Sequence, residues 1–298
     1  MNPPPELETL RDWLRYAVSR FNHAHLAFGH GSADAYDEAA YLLLHTLHLP
    51  LDRLDPFLDA RITAGERSEI AALLNRRVDE RVPAAYLTRE AWLGSFRFYV
   101  DERVLIPRSF IAELLPDGLD PYVRDRSKIK SALDLCTGSG CLAVLLAHAF
   151  EEADIDAVDV SADALAVAQR NVSDYGLAGR INLIRSDLFD NVPQKSYDLV
   201  ISNPPYVTTV AMEELPREYR HEPAVALDGG DDGLDAVRRI LRKAPHFMQD
   251  EALLIVEIGH NREALEAAFP RMPFVWLTTT SSEETVFLLR REEIVAGR

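Results

Sequence analysis

Apolar residues in the first part of the chain recur at helical intervals. Leu7, Leu10, Leu14 and Val18 share one face, and Ala39 to Leu47 supplies a second. A third helix is predicted from Thr63 to about Asp79, because "TAGE" places Glu66 three residues after a threonine in capping-box order. Residues 1–90 thus read as a small helical domain. The pattern then becomes alternating. "AWLGSFRFYVDERVLIP" carries aromatic and β-branched residues around Asp101–Glu102, which predicts a β-hairpin linker over 91–106 with its break at that pair. From Lys130 onward, short apolar strands alternate with helices. Strands are predicted at "SALDLC", "DIDAVDV", "INLIRSD", "YDLVISN" and "ALLIVEIG", and near Phe274–Leu277 and Thr285–Leu289. Helices begin at about Ser139 and at Ser161. Such alternation implies an α/β fold, a doubly wound and mostly parallel sheet covered on both faces, over residues 107–298.

Composition narrows the function. The 298 residues suffice for one large or two ordinary domains, and 47% hydrophobic with 27% charged residues suits a soluble chain with a substantial core. With 48 acidic and 32 basic residues the net charge is −16, which disfavours non-specific binding to phosphate backbones and favours a basic protein partner. Cys136 and Cys141 flank a glycine-rich turn at a spacing that fits neither a zinc site nor a disulfide framework, so they read as small buried residues. His23, His25 and His30 are irregularly spaced and lack completing carboxylates or thiols; no metal is expected. "MNPPPELETL" has no basic start before an apolar stretch, and the apolar run Cys141–Phe150 is too short to span a bilayer. A cytoplasmic location is expected.

The first candidate chemistry is "LDLCTGSGCLAV". Gly138 and Gly140 stand where the first strand of the sheet gives way to a helix, so backbone can approach a ligand closely and helix amides point at it. A dinucleotide site would have glycine at Ala143 and a pyrophosphate near the loop. Here Asp134 stands just before the loop, which suits an ammonium group and repels a pyrophosphate. The pattern therefore points to S-adenosylmethionine rather than NAD. Asp159, at the end of the second strand, can accept ribose hydroxyls, and Asp187, at the end of the third, can meet the adenine amino group. Each acid taken alone could be a helix cap or a turn residue. Three at successive strand ends lie where open parallel sheets bind ligands.

The second is "SYDLVISNPPYV". A strand runs into Asn203 and is followed at once by Pro204, Pro205 and Tyr206. An amide or amino acceptor is a planar NH2 group. The Asn203 side-chain oxygen and the Pro204 carbonyl can accept its two N–H bonds, the prolines fix φ and remove a competing donor, and Tyr206 can lie against the flat face. The acceptor nitrogen would be held in line with the methyl–sulfur bond, so much of the catalysis would be orientation, with charge developing on nitrogen stabilised by the same acceptors.

With "DLCTGSGCLAV", "AVDVS", "RSDLF" and "ISNPPYV", the chain resembles the class I (Rossmann-like) S-adenosylmethionine-dependent methyltransferases that act on amide or amino nitrogen. NPPY is shared by adenine-N6 DNA methyltransferases and protein glutamine-N5 methyltransferases. A DNA enzyme needs a basic duplex-binding surface and a pocket for a flipped base, and this chain has no basic run. The helical N-terminal part, the hairpin, "VLIPRS" and "EPAVALDGGDDGLD" resemble the HemK-related glutamine methyltransferases over nearly the whole chain.

The segment after Pro107–Arg108 (Ser109, Phe110, Ile111, Ala112, Glu113) and "AFGHGSADAYDEAAYLL" resemble the PrmB-type subfamily, which acts on ribosomal protein L-three of the large (50S) subunit. Phe110 departs from its usual proline. The resemblance implies that Asn203, Pro204, Pro205 and Tyr206 are catalytic. It implies that Asp134, Cys136, Thr137, Gly138, Ser139, Gly140, Asp159, Asp187 and Asn203 hold S-adenosylmethionine and its product S-adenosylhomocysteine. Phe98, Arg108 and Glu257 are candidate substrate residues, and Glu222 and Asp228 flank a glycine-rich loop expected as a mobile cover, with a solvated turn as the equal alternative. The implied partner is ribosomal protein L-three, a basic protein suited to an acidic enzyme, with no sequence-specific nucleic-acid binding and no membrane. Release-factor methylation, adenine-N6 methylation and a non-catalytic subunit are the alternatives.

Overall fold

The computed structural model describes Pro4 and Glu6–Arg298, so several of the N-terminal residues behind the no-leader reading lie outside the described residues. The chain divides into two compact units.

The first unit comprises the described residues up to Ala91 together with Leu215–His221. It holds α1 (Leu10–His23), α2 (Ala35–Thr46), α3 (Ala64–Asn75) and α4 (Ala84–Thr88). α3 starts as the sequence predicts. The Thr63 side chain accepts from the Glu66 N–H, and the Glu66 carboxylate accepts from the Thr63 N–H. Leu7 falls just before α1, whose own box is Thr9 with Asp12. Leu10, Trp13, Ala17, Phe21, Leu42, Leu43, Ile70 and Leu74 form the core of this unit.

Beside that core lies a buried charge cluster. Arg77, in a π-turn after α3, donates to Glu38 at 2.5 Å and to Glu218 at 3.5 Å. Arg81 and the Ala27 N–H also donate to Glu218, at 3.1 and 3.2 Å. Burial opposes the charge on Glu218, but its hydrogen bonds and the neighbouring guanidinium outweigh that and hold its carboxyl below the usual range. Glu218 is thus what fastens residues 215–221 to the helices.

The second unit begins at Trp92. β1 (Glu90–Leu93) and β2 (Phe96–Tyr99) pair as a two-stranded ribbon. Its turn is Gly94–Ser95, not the predicted Asp101–Glu102. Gly94 takes φ +60°, which a tight turn needs, whereas Asp101 closes a separate turn by accepting from Tyr99 and Arg103. There follow α5 (Ile111–Leu114), β3 (Ser131–Leu135), α6 (Cys141–Ala149), β4 (Asp154–Asp159), α7 (Ala162–Asp174), β5 (Ile181–Arg185) and β6 (Tyr197–Ser202). After them come α8 (Thr209–Glu214), α9 (Asp235–Lys243), β7 (Met248–Glu257), α10 (Arg262–Ala268), β8 (Val275–Leu277), β9 (Val286–Arg290) and α11 (Arg291–Ala296).

The sheet order is β5-β4-β3-β6-β7-β9-β8, with the first five strands parallel and β9 antiparallel to both its neighbours. Both faces are covered, as near-continuous apolar strands require. Leu253 and Ile255 of β7 belong to the core that includes α6, while Leu254 and Val256 belong to the core that includes α9. Leu135 of β3 stands opposite both Val158 of β4 and Ser202 of β6, so the carboxyl ends of the three strands line up along one edge.

Glu218→Ala is expected to destabilise the helical unit by about 3–5 kcal/mol, because it removes one partner from a buried charge cluster. The urea midpoint of a probe inside that unit, read beside wild type, would measure it.

Candidate functional site

The site is built at that aligned edge. After β3 the backbone turns through three left-handed residues, Cys136 (φ +60°), Gly138 (φ +54°) and Gly140 (φ +78°). At Gly140 a Cβ would stand 3.1 Å from the Ala168 Cβ of α7, so a side chain there would need the helix to give slightly as well as a left-handed backbone. At Gly138 a Cβ would meet nothing within 4 Å, so its requirement is the backbone conformation alone.

The acids hold this loop in shape. Asp159 accepts from the Gly138 N–H and from the Ser161 N–H, both at 2.9 Å, and burial raises its pKa despite these bonds. Asp134 is fully buried and accepts from the Thr137 hydroxyl at 2.5 Å through one oxygen. Its other oxygen has no partner, and burial pushes its pKa up to about 7. Asp134 stands beneath the glycine loop and lines neither cavity. Asn171 of α7, which no sequence pattern singles out, donates to the carbonyls of Tyr99 and Ser139 and accepts from the Tyr99 N–H. It thereby ties β2 to the loop.

Two cavities open here. One of about 270 Å³ is lined by Cys136, Gly138, Asp159, Asp187 and Asn203, and by Val104. The other, about 40 Å³, is lined by Thr137, Ser139, Pro107, Arg108 and Ser109, and again by Asn203. Asn203 therefore faces both. Asp187 reaches the larger cavity while paired with Arg239 of α9 at 2.9 Å, and Arg239 itself was not foreseen, since nothing marks one arginine of an amphipathic helix as a wall residue.

The motif around Asn203 is closely cradled. The Tyr206 carbonyl accepts from the Asn261 side chain at 2.7 Å, and Val207 exchanges backbone bonds with Leu227 and Gly229. A Cβ on Gly229 would stand 2.7 Å from the Tyr206 Cα, one on Gly233 2.4 Å from the Tyr206 carbonyl, and one on Gly259 2.6 Å from the Tyr206 ring. The loop expected as a mobile cover is thus packed against the motif, because its glycines let two backbones meet.

The three candidate substrate residues fare differently. Phe98 is fully buried in the core against Tyr175 and lines neither cavity; its position on the pleat turns it inward. Arg108 lines the smaller cavity, but its guanidinium grips Glu222 through two bonds, at 2.6 and 2.8 Å. Glu257 lines neither cavity and instead accepts from Tyr206, Ser109 and Phe110. Gly140, Pro204 and Tyr206 also stand behind the walls rather than in them. Among the described residues no group of His, Cys, Asp and Glu could hold a metal ion, and no helix is long and apolar enough to cross a membrane.

Residues 115–218 match the Methyltransferase small domain family. The "Ribosomal protein uL3 glutamine methyltransferase" of Bordetella pertussis is 58% identical over 98% of this chain and 98% of its own length. Proteins of the same description from Neisseria meningitidis serogroup B (58% identical, covering 97% of this chain and 95% of the relative) and Bradyrhizobium diazoefficiens (49%, covering 97% and 92%) are also similar over most of their length. The chain belongs to this glutamine methyltransferase family. The expected α/β methyltransferase fold is the observed one, and fold and family together imply S-adenosylmethionine-dependent chemistry.

Gly259→Ala is expected to cost about 1–3 kcal/mol, since it places a side chain at positive φ against the Tyr206 ring. Thermal unfolding of the variant beside wild type would register the loss.

Proposed function

We propose that this protein transfers a methyl group from S-adenosylmethionine to the side-chain amide nitrogen of a glutamine in ribosomal protein uL3, in the cytoplasm. The observation that carries the reading is the position of Asn203, which directly follows β6 and faces both cavities. Full-length similarity to uL3 glutamine methyltransferases supports the substrate.

S-adenosylmethionine supplies an electrophilic methyl on a sulfonium. The larger cavity, with Asp159 and Asp187 in its wall, suits an adenosine moiety, and the unpartnered oxygen of Asp134 suits an ammonium group. The Asn203 side-chain oxygen accepts an N–H bond of the glutamine amide and turns its nitrogen lone pair toward the methyl donor. It also stabilises the positive charge that grows on nitrogen as the bond forms, until that nitrogen gives up a proton. The helical unit would select the protein substrate, and the acidic balance of the chain, −16, suits a basic one.

Labelled methyl transfer to purified uL3, a release factor and adenine-containing RNA, side by side, tests the assignment. Labelling of uL3 alone is expected. Labelling of the release factor alone would move the substrate and leave the chemistry standing. Asn203→Ala should lower turnover by at least about a hundredfold, in the range of losing a transition-state acceptor, with cofactor affinity nearly unchanged.

Asp134 gives a pH signature. Burial raises its folded pKa to about 7, above the ordinary value of 3.8, so the unliganded fold loses stability as pH rises between those values. A bound ammonium requires the ionised form. Affinity for S-adenosylmethionine should therefore weaken as pH falls below about 7, approaching tenfold per unit. Calorimetry from pH 8 to 6 would show this slope in wild type and none in Asp134→Asn. A flat wild-type profile would sink the ammonium assignment.

A further inference from the structure

Glu257 ends β7 with 1% of its surface exposed. Its two oxygens are engaged from different parts of the chain. Oε1 accepts from the Tyr206 hydroxyl at 3.1 Å. Oε2 accepts from the Ser109 hydroxyl at 2.6 Å and from the Phe110 N–H at 2.9 Å. The first donor belongs to the NPPY motif. The other two belong to the segment from Val104 to Phe110, which supplies wall to both cavities.

That segment is fastened a second time. Glu222 accepts from the Ile106 N–H at 3.0 Å and holds both terminal nitrogens of Arg108. The wall is thus pinned at Ile106–Arg108 by one buried carboxylate and at Ser109–Phe110 by another. Only Glu257 also holds the motif that carries Asn203. A carboxylate this deeply buried is costly unless its oxygens are satisfied, so either segment moving away would leave it short of donors. With three donors in place and no face on either cavity, it is not set to take a proton from a substrate.

We propose that Glu257 is a positioning residue for methyl transfer. By gripping Tyr206 and the Ser109–Phe110 turn together, it sets the width of the slot in which the acceptor amide lies beside Asn203. The inference rests on the reading of Asn203 as the amide-holding group. In-line transfer depends steeply on the spacing of the reacting atoms, so a small relaxation of the slot lowers the rate without removing any group that touches the substrate.

The test uses the full chain with Glu257→Gln, Tyr206→Phe and Ser109→Ala, alone and combined. Glu257→Gln should lower kcat at least tenfold, with KM for uL3 and the dissociation constant of S-adenosylhomocysteine within twofold of wild type. Adding Tyr206→Phe to Glu257→Gln should lower kcat no further, because the hydroxyl acts only through the carboxylate. An unchanged kcat per folded enzyme, losses that multiply, or a cofactor affinity that falls in step with kcat would each overturn the proposal. If Glu257→Gln does not fold, the Ser109→Ala/Tyr206→Phe pair decides, and a drop below tenfold in kcat counts against it. If wild type transfers no methyl to uL3, the substrate reading fails and hydrogen exchange decides the grip. The Phe110 amide should exchange at least tenfold faster in Glu257→Gln and at the wild-type rate in Asn203→Ala; unchanged exchange in Glu257→Gln would overturn it.

Discussion

The pairing of β3 with β6 is the constraint from which the site follows. With Leu135 opposite Ser202, the next residues of the two strands leave the sheet side by side, one chain turning into the glycine loop and the other into Asn203. Ser202 adds a direct tie, its hydroxyl donating to the Leu135 carbonyl at 3.0 Å. A slip of one residue would invert every side chain on β6, sending Val200 to the opposite core and turning Asn203 away from the cavities. The apolar demand of two covered faces therefore fixes the placement of the polar chemistry at the strand ends.

Around that register the protein uses close backbone contact where many sites use side chains. Gly229 and Gly233 come from one loop and Gly259 from the turn after β7, and all three let the chain approach Pro205–Tyr206 more closely than any side chain would allow. Gly140 allows a less extreme approach of α7 to the glycine loop. Side-chain carboxylates then bind what the glycines bring together: Asp159 holds the loop, Glu222 the wall segment, and Glu257 the motif. The outcome is a site whose reactive groups have little freedom before any ligand arrives, which is how orientation contributes to rate.

Much of this was legible in the sequence because it depends on local patterns. The strand ends at Asp134, Asp159 and Asp187, the cap at Thr63 and the motif at Asn203 all announce themselves within a few residues. What escaped depends on contacts distant in sequence. Asn171 reads as an ordinary helix asparagine until Tyr99 and Ser139 are folded against it. Phe98 reads as a possible site aromatic because alternation does not say which face of a short strand is buried. The hairpin turn was misplaced at Asp101–Glu102 because charge was a louder signal than the single glycine that makes the bend. The partners of Arg108 and Glu257, Glu222 for the first and Tyr206, Ser109 and Phe110 for the second, are likewise set by contacts distant in sequence.

The path of the chain through the helical unit has a consequence for how this enzyme can be taken apart. Residues 215–221 lie between Glu214 and Glu222, both of the second unit, yet they belong with the helices through Glu218. The backbone therefore passes from one unit to the other three times. No single cut separates them, and a fragment that starts at Trp92 keeps a seven-residue piece of its neighbour while losing the arginines that neutralise it. Exchanging the helical part between relatives would have to move two stretches at once, so the two units can be expected to drift together in evolution rather than be recombined as independent modules.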